Sequence, residues 1–493
     1  MTSRSATTVV SLAPAPYLKR LGQALDDHVG GILFVDEHGH SCRYDDALAL
    51  AETPAIVGTR RRLVFCLCGN THYALLGYLA LLRADAVQVM LDPAITADHL
   101  RRLAELYRPD FYWLPAARGH EVENATSCLG LGDYLLLADS SRADGDIHPD
   151  LSLLLSTSGT TGSPKLVRLS HDNLRSNAES IAGYLDIDAD ERPITSLPPS
   201  YSYGLSVIHS HILVGAHIIV SDRSVMQPAF WDFLNASHAT SFAGVPYHYE
   251  LLRKLRFHER APSVRTFTQA GGHMNRELTI EVARFCQDRG MRLYCMYGQT
   301  EATARMAFLA PEKTIEKAGS IGQAIPGGQL SLQDDAGNLI ASDDTVGELV
   351  YRGRNVFLGY AESRADLARA DDQGGILRTG DMARRDADGD HTIVGRLRRM
   401  LKMFGARINL HEVELALGRE GYRVACAGQD DALNIYVCTS SVEAARAIKS
   451  FAVHQLHVPP SSVSVHSVDA FPLSPQGKIA YPLLADACRE RLA

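Results

Sequence analysis

The stretch Ser152-Leu-Leu-Leu-Ser-Thr-Ser-Gly-Thr-Thr-Gly-Ser-Pro-Lys-Leu-Val-Arg-Leu169 indicates both a fold and a chemistry. Its apolar ends predict two short buried strands, 152–155 and 166–169. The middle holds hydroxyl groups, two glycines and one lysine. Small residues let the backbone approach an anion, N–H and O–H groups donate to its oxygens, and the ammonium adds positive charge. We therefore predict a triphosphate-binding loop formed by Thr157, Ser158, Gly159, Thr160, Thr161, Gly162 and Lys165.

The loop differs from two other lysine-containing motifs. A Walker A loop leads straight from Gly-Lys into a helix, whereas here Ser163 and Pro164 separate Gly162 from Lys165 and a strand follows. An S-x-x-K acyl-enzyme motif also fails, because no serine of the loop has a lysine at the required spacing. Neither a P-loop nor a serine acyl-enzyme is indicated.

On both sides of the loop, apolar strand-like runs alternate with amphipathic helical patterns. A helix with apolar positions at Leu174, Ile181 and Leu185 follows Ser170. Further strand-like runs lie at 32–35, 62–68, 86–91, 111–114, 217–220, 240–243 and 292–296. This alternation predicts an α/β protein with largely buried sheets.

The pattern changes after about residue 347. Alternating runs at 348–351, 391–394 and 400–403 lie between Gly and Asp turns and predict a short antiparallel β region. Asn409 then precedes a helical pattern with Glu412 further along, a variant of the capping box. The polar, basic stretch Gly395-Arg-Leu-Arg-Arg399 is the predicted boundary of a small C-terminal α+β unit.

The composition is that of an ordinary globular protein. Of 493 residues, 46% are hydrophobic and 22% charged, and Lys+Arg 49 against Asp+Glu 57 gives a net charge of −8. That balance argues against nucleic acid or an anionic membrane as the main partner. The longest apolar stretch, 73–82, is far short of the about 20 residues that span a bilayer, and residues 1–17 make a poor signal peptide. We expect a cytoplasmic protein without a membrane span.

Further motifs follow the loop in a fixed order. They are Tyr297-Gly-Gln-Thr-Glu-Ala302, Arg378-Thr-Gly-Asp381, the basic stretch continued to Gly405, and Pro472-Leu-Ser-Pro-Gln-Gly-Lys478. Together with the loop, they resemble the five signature blocks of the adenylate-forming (AMP-binding) superfamily. This superfamily includes acyl-CoA synthetases, luciferase and the adenylation domains of peptide synthetases. The residues before the loop carry no such signature.

The resemblance implies both an architecture and a reaction. The architecture is a large N-terminal domain, residues 1–397, of packed α/β sheets in five layers with a β subdomain, and a small mobile α+β domain, residues 398–493. The reaction has two steps: a carboxylate and MgATP give an acyl-adenylate and pyrophosphate, and then a pantetheine thiol takes the acyl group and releases AMP. The expected cofactors and partners are ATP, Mg²⁺ and either CoA or the 4'-phosphopantetheine of a separate carrier protein.

The first step joins two anions, so the site must align them, screen their repulsion and stabilise charge on the phosphate oxygens. By the resemblance, Lys165 and the loop donors hold the β- and γ-phosphates. Glu301 coordinates Mg²⁺ through a hard carboxylate oxygen, and the hydroxyl of Thr300 lies near the α-phosphate.

The resemblance also assigns the rest of the nucleotide. Tyr297 stacks on the adenine, and Asp381 accepts hydrogen bonds from the ribose hydroxyls with Arg396 nearby. Gly271, which aligns with the acid pocket as well, is assigned to the same nucleotide site.

Lys478 is the expected catalytic residue of the C-terminal domain. By the resemblance it bridges the carboxylate and the α-phosphate in the adenylating state, and rotation about a hinge at Arg398 separates the two half-reactions. Family members usually carry Asp or Lys at that hinge, so Arg398 is a mild departure.

The segment Leu197-Pro-Pro-Ser-Tyr-Ser-Tyr-Gly-Leu205 aligns with the block that opens the acid pocket. Amino-acid-activating domains typically place Asp after the aromatic residue, to pair with the substrate ammonium, but here that position is Ser202. An ordinary α-amino acid is therefore disfavoured, and the mixed polar lining suggests a small or medium carboxylic acid. Arg305 is left open between facing the pocket and lying at the surface. The expected pocket residues are Tyr201, Ser202, Tyr203, Ser206, Thr268, Ala270, Met296, Ala304 and Arg305.

Several alternatives stay open at this point. The acceptor is CoA or a carrier protein supplied in trans, since no carrier-domain motif follows Lys478. The competing interpretations are amino-acid adenylation, a phosphotransferase using the Ser/Thr/Gly/Lys loop, a non-catalytic relative, and an adenylating enzyme with an amine or oxygen acceptor.

Overall fold

A computed structural model describes residues 20–140, 145–156, 165–255, 261–403, 406–429, 431–439, 441–456, 458–473 and 479–485. The α-helices of this part of the chain are α1 Tyr44–Ala51, α2 Pro54–Val57, α3 His72–Arg83, α4 Ala97–Tyr107, α5 His171–Leu185, α6 Ser202–Leu213, α7 Pro228–Ala236, α8 Pro246–Leu255, α9 Arg276–Gln287, α10 Leu410–Arg419 and α11 Val442–Leu456. None of them combines the length and the apolar character that a crossing of the bilayer requires.

The first half of the described chain contributes strands β1 Ile32–Asp36, β2 Ser41–Arg43, β3 Leu63–Leu67, β4 Val87–Leu91, β5 Phe111–Pro115, β6 Ala125–Leu131, β7 Tyr134–Asp139, β8 Leu151–Ser156, β9 Leu166–Ser170, β10 Pro193–Ile194, β11 Ile218–Val220 and β12 Ser241–Gly244. The second half contributes β13 Thr266–Gln269, β14 Arg292–Tyr297, β15 Ala307–Leu309, β16 Gln323–Ala324, β17 Gly328–Gln333, β18 Gly347–Gly353, β19 Tyr360–Ala361, β20 Ile376–Arg385, β21 His391–Arg396, β22 Met400–Met403, β23 Ala406–Asn409, β24 Val424–Gln429, β25 Ala432–Val437 and β26 Val463–Ser467.

Two large sheets organise most of the chain. One has nine strands in the order β16-β15-β14-β13-β12-β10-β11-β1-β2, and the other has eight in the order β19-β9-β8-β4-β3-β5-β7-β6. The predicted strands on either side of the phosphate loop are β8 and β9, which pair antiparallel in the second sheet. The predicted phosphate loop, of which residues 157–164 lie outside the described residues, thus connects two neighbouring strands of this sheet.

Successive residues of each large sheet face different helical layers. Val64 of β3 packs into a central cluster with residues of α3, α5 and α6, whereas its neighbour Phe65 packs with Leu103 of α4. Ile218 of β11 joins the same central cluster, and Ile219 packs in the cluster of α7, α8 and α9 on the opposite face. Because side chains alternate across a strand, both sheets are buried on two faces. The layers follow the order helix, sheet, helix, sheet, helix, and the predicted five-layered α/β class is confirmed.

The later part of the chain contains the predicted antiparallel β region. Strands β17, β18, β20 and β21 form a four-stranded sheet, which begins earlier than expected, at Gly328. After the 3₁₀ turn Leu397–Arg399, β22 and β23 form a ribbon and β24, β25 and β26 form a three-stranded sheet. These last strands pack with α10 and α11 in a core of their own. The boundary at residue 397 itself remains a prediction.

Candidate active site

Strand β14 carries the block that begins at Tyr297 to the carboxyl edge of the nine-stranded sheet, where β12 and β13 also end. Ligands of open α/β sheets bind outside such edges. The chain then turns sharply through the 3₁₀ turn Thr300–Ala302. A Cβ on Gly298 would lie 1.7 Å from the carbonyl oxygen of Ala304, so only glycine fits this turn.

A buried carboxylate, Asp381 of β20, lies beside this turn. The Tyr297 hydroxyl donates to its Oδ2, Gln299 Nε2 donates to the same oxygen at 3.1 Å, and Arg396 Nε lies 2.8 Å from Oδ1. Burial and the adjacent carboxylate hold the pKa of Tyr297 well above its usual range, so its hydroxyl stays a donor. The side chain of Asp381 is 2% exposed, whereas that of Arg396 is 62% exposed and covers it. The structure thus brings Tyr297, Asp381 and Arg396 together, as the motifs imply.

Glu301 and Lys165 meet around a single tyrosine. The hydroxyl of Tyr360 on β19 donates to Glu301 Oε1 at 2.9 Å, and Lys165 Nζ lies 3.7 Å from the centroid of the same ring. Lys165 stands at the start of β9, where the phosphate loop rejoins the sheet. A carboxylate and an ammonium from distant parts of the sequence therefore face one region.

Thr300 connects this region to helix α6. Its hydroxyl is buried and lies 3.3 Å from the hydroxyl of Ser202, the first residue of that helix. The hydroxyl of a residue assigned to the nucleotide and that of a residue assigned to the acid thus meet at the N-terminus of α6.

Two tyrosines that the sequence assigns to the acid pocket lie side by side. Tyr203 donates its hydroxyl to the carbonyl oxygen of Thr268 at 2.8 Å, and its ring meets that of Tyr201 edge to face. Gly271 has φ +82, and a Cβ there would lie 2.3 Å from the Tyr201 hydroxyl. The absence of a side chain at residue 271 therefore leaves room for the Tyr201 hydroxyl.

Arg305 is buried and does not lie at the surface. The residue is 2% exposed, and its guanidinium carbon lies 3.9 Å from the centroid of the Tyr203 ring. Its Nε donates to the sulfur of Met296 at 3.3 Å. Of the two orientations left open by the sequence, the inward one is observed.

Other expected site residues are placed as follows. Ala270, Ala304 and Ser206 are buried, and the Ser206 hydroxyl donates to the carbonyl oxygen of Tyr203 within α6. Thr157, Ser158, Gly159, Thr160, Thr161, Gly162 and Lys478 lie outside the described residues, as does the side chain of Arg398. Their assigned roles remain predictions.

Three contributing residues were not predicted. Gln299 lay within the quoted motif as its variable position, and its bond to Asp381 becomes evident only when β14 and β20 are side by side. Tyr360, and Tyr184 of α5 whose hydroxyl donates to the Met296 sulfur at 3.0 Å, carry no sequence signal, because each reaches the site from a distant element.

A cluster of three acidic residues elsewhere could be mistaken for the metal site. Carboxylates of Asp386, Asp388 and Asp390 lie close together, but Lys317 Nζ lies 2.9, 2.6 and 2.7 Å from them. The ammonium occupies the position that a cation would take, so this cluster is an internal ion network.

Comparisons with known proteins agree with this geometry. The model of the AMP-binding enzyme family matches residues 47–361, more than half of the chain. The chain therefore belongs to the AMP-binding enzyme family, the adenylate-forming superfamily inferred from its motifs. It is an enzyme of the AMP-forming acid–thiol ligase class, as predicted.

Individual relatives are distant. The medium-chain fatty-acid–CoA ligase of Escherichia coli is 28% identical over 439 residues, which cover 81% of this chain and 75% of that protein. ATP-bound MatB from Rhodopseudomonas palustris superposes with a TM-score of 0.78 at 22% identity, over 96% of this chain and 99% of that one. The o-succinylbenzoate coenzyme A synthetase of Bacillus subtilis, in complex with ATP and magnesium, gives 0.74 at 21%, over 94% and 99%. The two structures share the fold of this chain.

Proposed function

We propose that this enzyme joins a small or medium-sized carboxylic acid to AMP, with release of pyrophosphate, and then transfers the acyl group to the thiol of CoA. The observation that carries the proposal is the convergence of Glu301 and Lys165 on Tyr360 of β19, the strand that pairs with β9 after the predicted phosphate loop. A carboxylate for a metal and a cation for phosphates are the groups that an ATP-dependent activation requires at one place.

The nucleotide side suits ATP in its donor and acceptor chemistry. Asp381 offers carboxylate oxygens, which are the acceptors that the two ribose hydroxyls need, and Tyr297 and Gln299 fix their orientation. Arg396 is exposed above them and supplies a second polar contact. We assign Tyr297 to the adenine and Gly271 to the wall between nucleotide and acid.

Glu301 suits Mg²⁺, because a carboxylate is a hard oxygen ligand and Tyr360 fixes its orientation by one hydrogen bond. When bound, the ion would screen the phosphate charge that otherwise repels the incoming carboxylate. Thr300 then presents its hydroxyl beside Ser202, between the phosphates and the acid.

Lys478 and the C-terminal domain, residues 398–493, complete the proposed mechanism. Arg396 is bonded to Asp381 of the large domain, whereas Arg399 Nη2 donates to Glu414 of α10 at 2.7 Å and to the carbonyl oxygen of Cys426 at 3.0 Å. Leu397 and Arg398 lie between these two arginines, so the bonds to the two domains change over at this point, which supports a hinge at Arg398. Rotation there would bring Lys478 to the acid for adenylation and remove it for transfer to the thiol.

CoA is the proposed acceptor because the relative from Escherichia coli is named as a CoA ligase. A carrier protein is the alternative acceptor. The acids named for the relatives are a medium-chain fatty acid and o-succinylbenzoate, which differ so much that they do not define the acid here.

The test is exchange of labelled pyrophosphate into ATP, screened over carboxylic and amino acids. We expect exchange that depends on an acid and on Mg²⁺, and release of AMP with pyrophosphate. Thioester formation is then measured with CoA and with a pantetheine-loaded carrier protein. Release of ADP and phosphate, or turnover without any acid, would refute the proposal. Thioester on the carrier alone would replace CoA as the acceptor.

A further inference from the structure

The backbone of Arg305 is fixed more firmly than that of its neighbours in the turn. Its carbonyl oxygen accepts hydrogen bonds from two buried amides, Asn177 Nδ2 at 3.0 Å and Asn355 Nδ2 at 2.9 Å. Asn355 also accepts, through its backbone carbonyl, from the hydroxyl of Thr303 at 2.8 Å. The position of Arg305 is thus held by helix α5 and by the segment after β18.

Backbone strain accompanies this arrangement. Thr303 is β-branched and buried, yet has φ +67, a conformation that such residues rarely adopt. Strained backbone of this kind persists only where the surroundings enforce it, and it concentrates at functional sites. The strained residue lies between Glu301 and Arg305, so it helps to direct the arginine into the pocket.

The guanidinium itself has apolar and aromatic surroundings. It lies on the ring of Tyr203 and donates to the sulfur of Met296. It is also close to the hydroxyl of Tyr184, and its positive charge opposes the rise that burial causes in the pKa of Tyr184. Among the described residues, no carboxylate forms an ion pair with it. A second buried arginine, Arg168, has an ion pair with Asp372 at 2.9 Å and further bonds to backbone carbonyls.

A guanidinium stays charged in proteins, so burial cannot neutralise it as it neutralises a histidine. A buried charge without an opposite charge is unfavourable unless a partner is supplied. Stacking on tyrosine offsets part of that cost. No described residue supplies the opposite charge, and a bound ligand is able to supply it.

The position of Arg305 identifies that ligand. Thr300 touches Ser202, the next residue Tyr203 carries the guanidinium on its ring, and all of these belong to the acid side of the turn. An acid whose reacting carboxylate lies near Thr300 would extend along Tyr203 towards Arg305. The Tyr201 hydroxyl occupies the space beside Gly271, and by this proposal it limits the length of the acid.

We propose that Arg305 binds a second carboxylate of the substrate, so that the acid activated by this enzyme is a short dicarboxylic acid. This rests on the proposed function, since it specifies the acid of the same site. A carboxylate matches the planar fork of a guanidinium with two parallel hydrogen bonds. The same positive charge repels an α-ammonium group, in agreement with Ser202 where amino-acid-activating domains carry Asp.

The chemistry uses one carboxylate of the two. An oxygen of the reacting carboxylate forms a bond to the α-phosphorus, the bond from that phosphorus to the bridging oxygen breaks, and pyrophosphate leaves. The second carboxylate stays ionised on Arg305 and takes no part in bond making. It fixes which end of the molecule reacts.

The experiment compares succinate, glutarate and adipate with butyrate, valerate and hexanoate in pyrophosphate exchange by the full-length enzyme. We expect at least one dicarboxylate to exceed its monocarboxylate partner in kcat/KM. The variant Arg305→Met should lower kcat/KM for that dicarboxylate by about 10²- to 10³-fold and leave the monocarboxylate within a few-fold. Arg305→Lys, which keeps the charge but not the fork, should restore part of the loss.

Two controls separate specificity from folding. Arg101→Met removes an exposed arginine of α4 that pairs with Asp98 on the same helix, and it should change nothing. The preferred dicarboxylate should also raise the melting temperature of the wild-type protein without ATP, but not that of Arg305→Met, since binding to the folded state stabilises it.

The outcomes distinguish the two proposals. Equal loss for both kinds of acid in Arg305→Met, or a wild-type preference for every monocarboxylate, would overturn the role of Arg305 and leave acid activation standing. Exchange with none of the acids of the wider screen would refute the proposed function itself, and the present inference with it.

Discussion

One buried arginine lies in β9 and another in the predicted acid pocket, and the two differ in whether the surrounding residues provide an opposite charge. Arg168 of β9 has Asp372 and carbonyl oxygens of Leu358 and Ala370 around its Nη2. Arg305 has a tyrosine ring and a methionine sulfur.

The difference distinguishes an arginine that stabilises the fold from one that, by our proposal, recognises the substrate. At Arg168 the protein supplies the opposite charge, so the arginine ties the chain before α5 to the segment after β19. At Arg305 no described residue supplies an opposite charge, and by our proposal the substrate does. Variants of the first should change stability, and variants of the second should change selectivity.

The largest expected effect is on the stability of the region around Arg168. Arg168→Met leaves the carbonyl oxygens of Leu358, Arg369 and Ala370 without their guanidinium donor, and it leaves Asp372 with Arg369 as its ion-pair partner. We expect the free energy of unfolding to fall by about 3–5 kcal/mol. Arg305→Met breaks no ion pair within the described protein and should stay within about 1 kcal/mol of wild type. Urea denaturation of both variants measures the contrast, and a similar loss in Arg305→Met would show that both arginines are structural.

The next effect separates the nucleotide side from the acid side. Lys478→Ala should slow adenylation by about 10²- to 10³-fold for every acid alike, because the role proposed for Lys478 is to bridge the reacting carboxylate and the phosphate. Transfer from a supplied acyl-adenylate should be largely unchanged. Single-turnover assays of the two half-reactions measure this, with Lys449→Ala of α11 as the control. If both half-reactions fell together, the role of Lys478 would be wrong.

A smaller effect is expected at Glu301. Glu301→Gln keeps the shape and the bond from Tyr360 but removes the charge, so the Mg²⁺ concentration for half-maximal exchange should rise about tenfold or more. Acid selectivity should not change, since Arg305 is untouched. Titration with Mg²⁺ checks this, and the exposed Glu312→Gln is the matched control. An unaltered metal requirement would contradict the assignment of Glu301 as a ligand.

The smallest effect concerns a buried group that loses its charge, in contrast to Arg305. Burial lowers the pKa of His209 on α6 to about 3, so it is neutral in the folded protein. In the unfolded chain the same histidine binds a proton below about pH 6.5. The stability of the folded protein that depends on a neutral His209 is therefore fully present above that pH, and it is lost as the pH falls towards 3.

The variant His209→Gln, which retains a partner for the Tyr78 hydroxyl, tests this contribution. When the pH is lowered to one unit below 6.5, the free energy of unfolding of this variant should fall by about 1.4 kcal/mol less than that of the wild type. The exposed His238→Gln should follow wild type. Denaturation at a series of pH values measures the difference, and parallel curves for His209→Gln and wild type would show that His209 does not titrate as stated.

The local pattern was sufficient for the elements around the phosphate loop. The mostly apolar runs 152–155 and 166–169 lie in β8 and β9, and the helix predicted after Ser170 is α5. Side-chain periodicity and a local capping box are enough to decide such elements. The motif blocks also led to the contact of Tyr297, Asp381 and Arg396.

Other site features lay beyond local pattern. Tyr360, Asn177 and Asn355 reach the site from separate helices and strands, and nothing in their own neighbourhoods of sequence marks them. The orientation of Arg305 was likewise undecided, since a single cation in a loop after a motif occurs both inside and outside a protein.

The sequence by itself determined the α/β alternation, the family and the identity of the charged groups. Only the tertiary structure decided which charges are neutralised. Arg168 and Arg305 each stand among apolar neighbours in the chain, Val167 and Leu169 in one case and Ala304 and Met306 in the other. The physical reason is that the partner of a buried charge lies across the fold, and the distance to it is set by how sheets and helices pack.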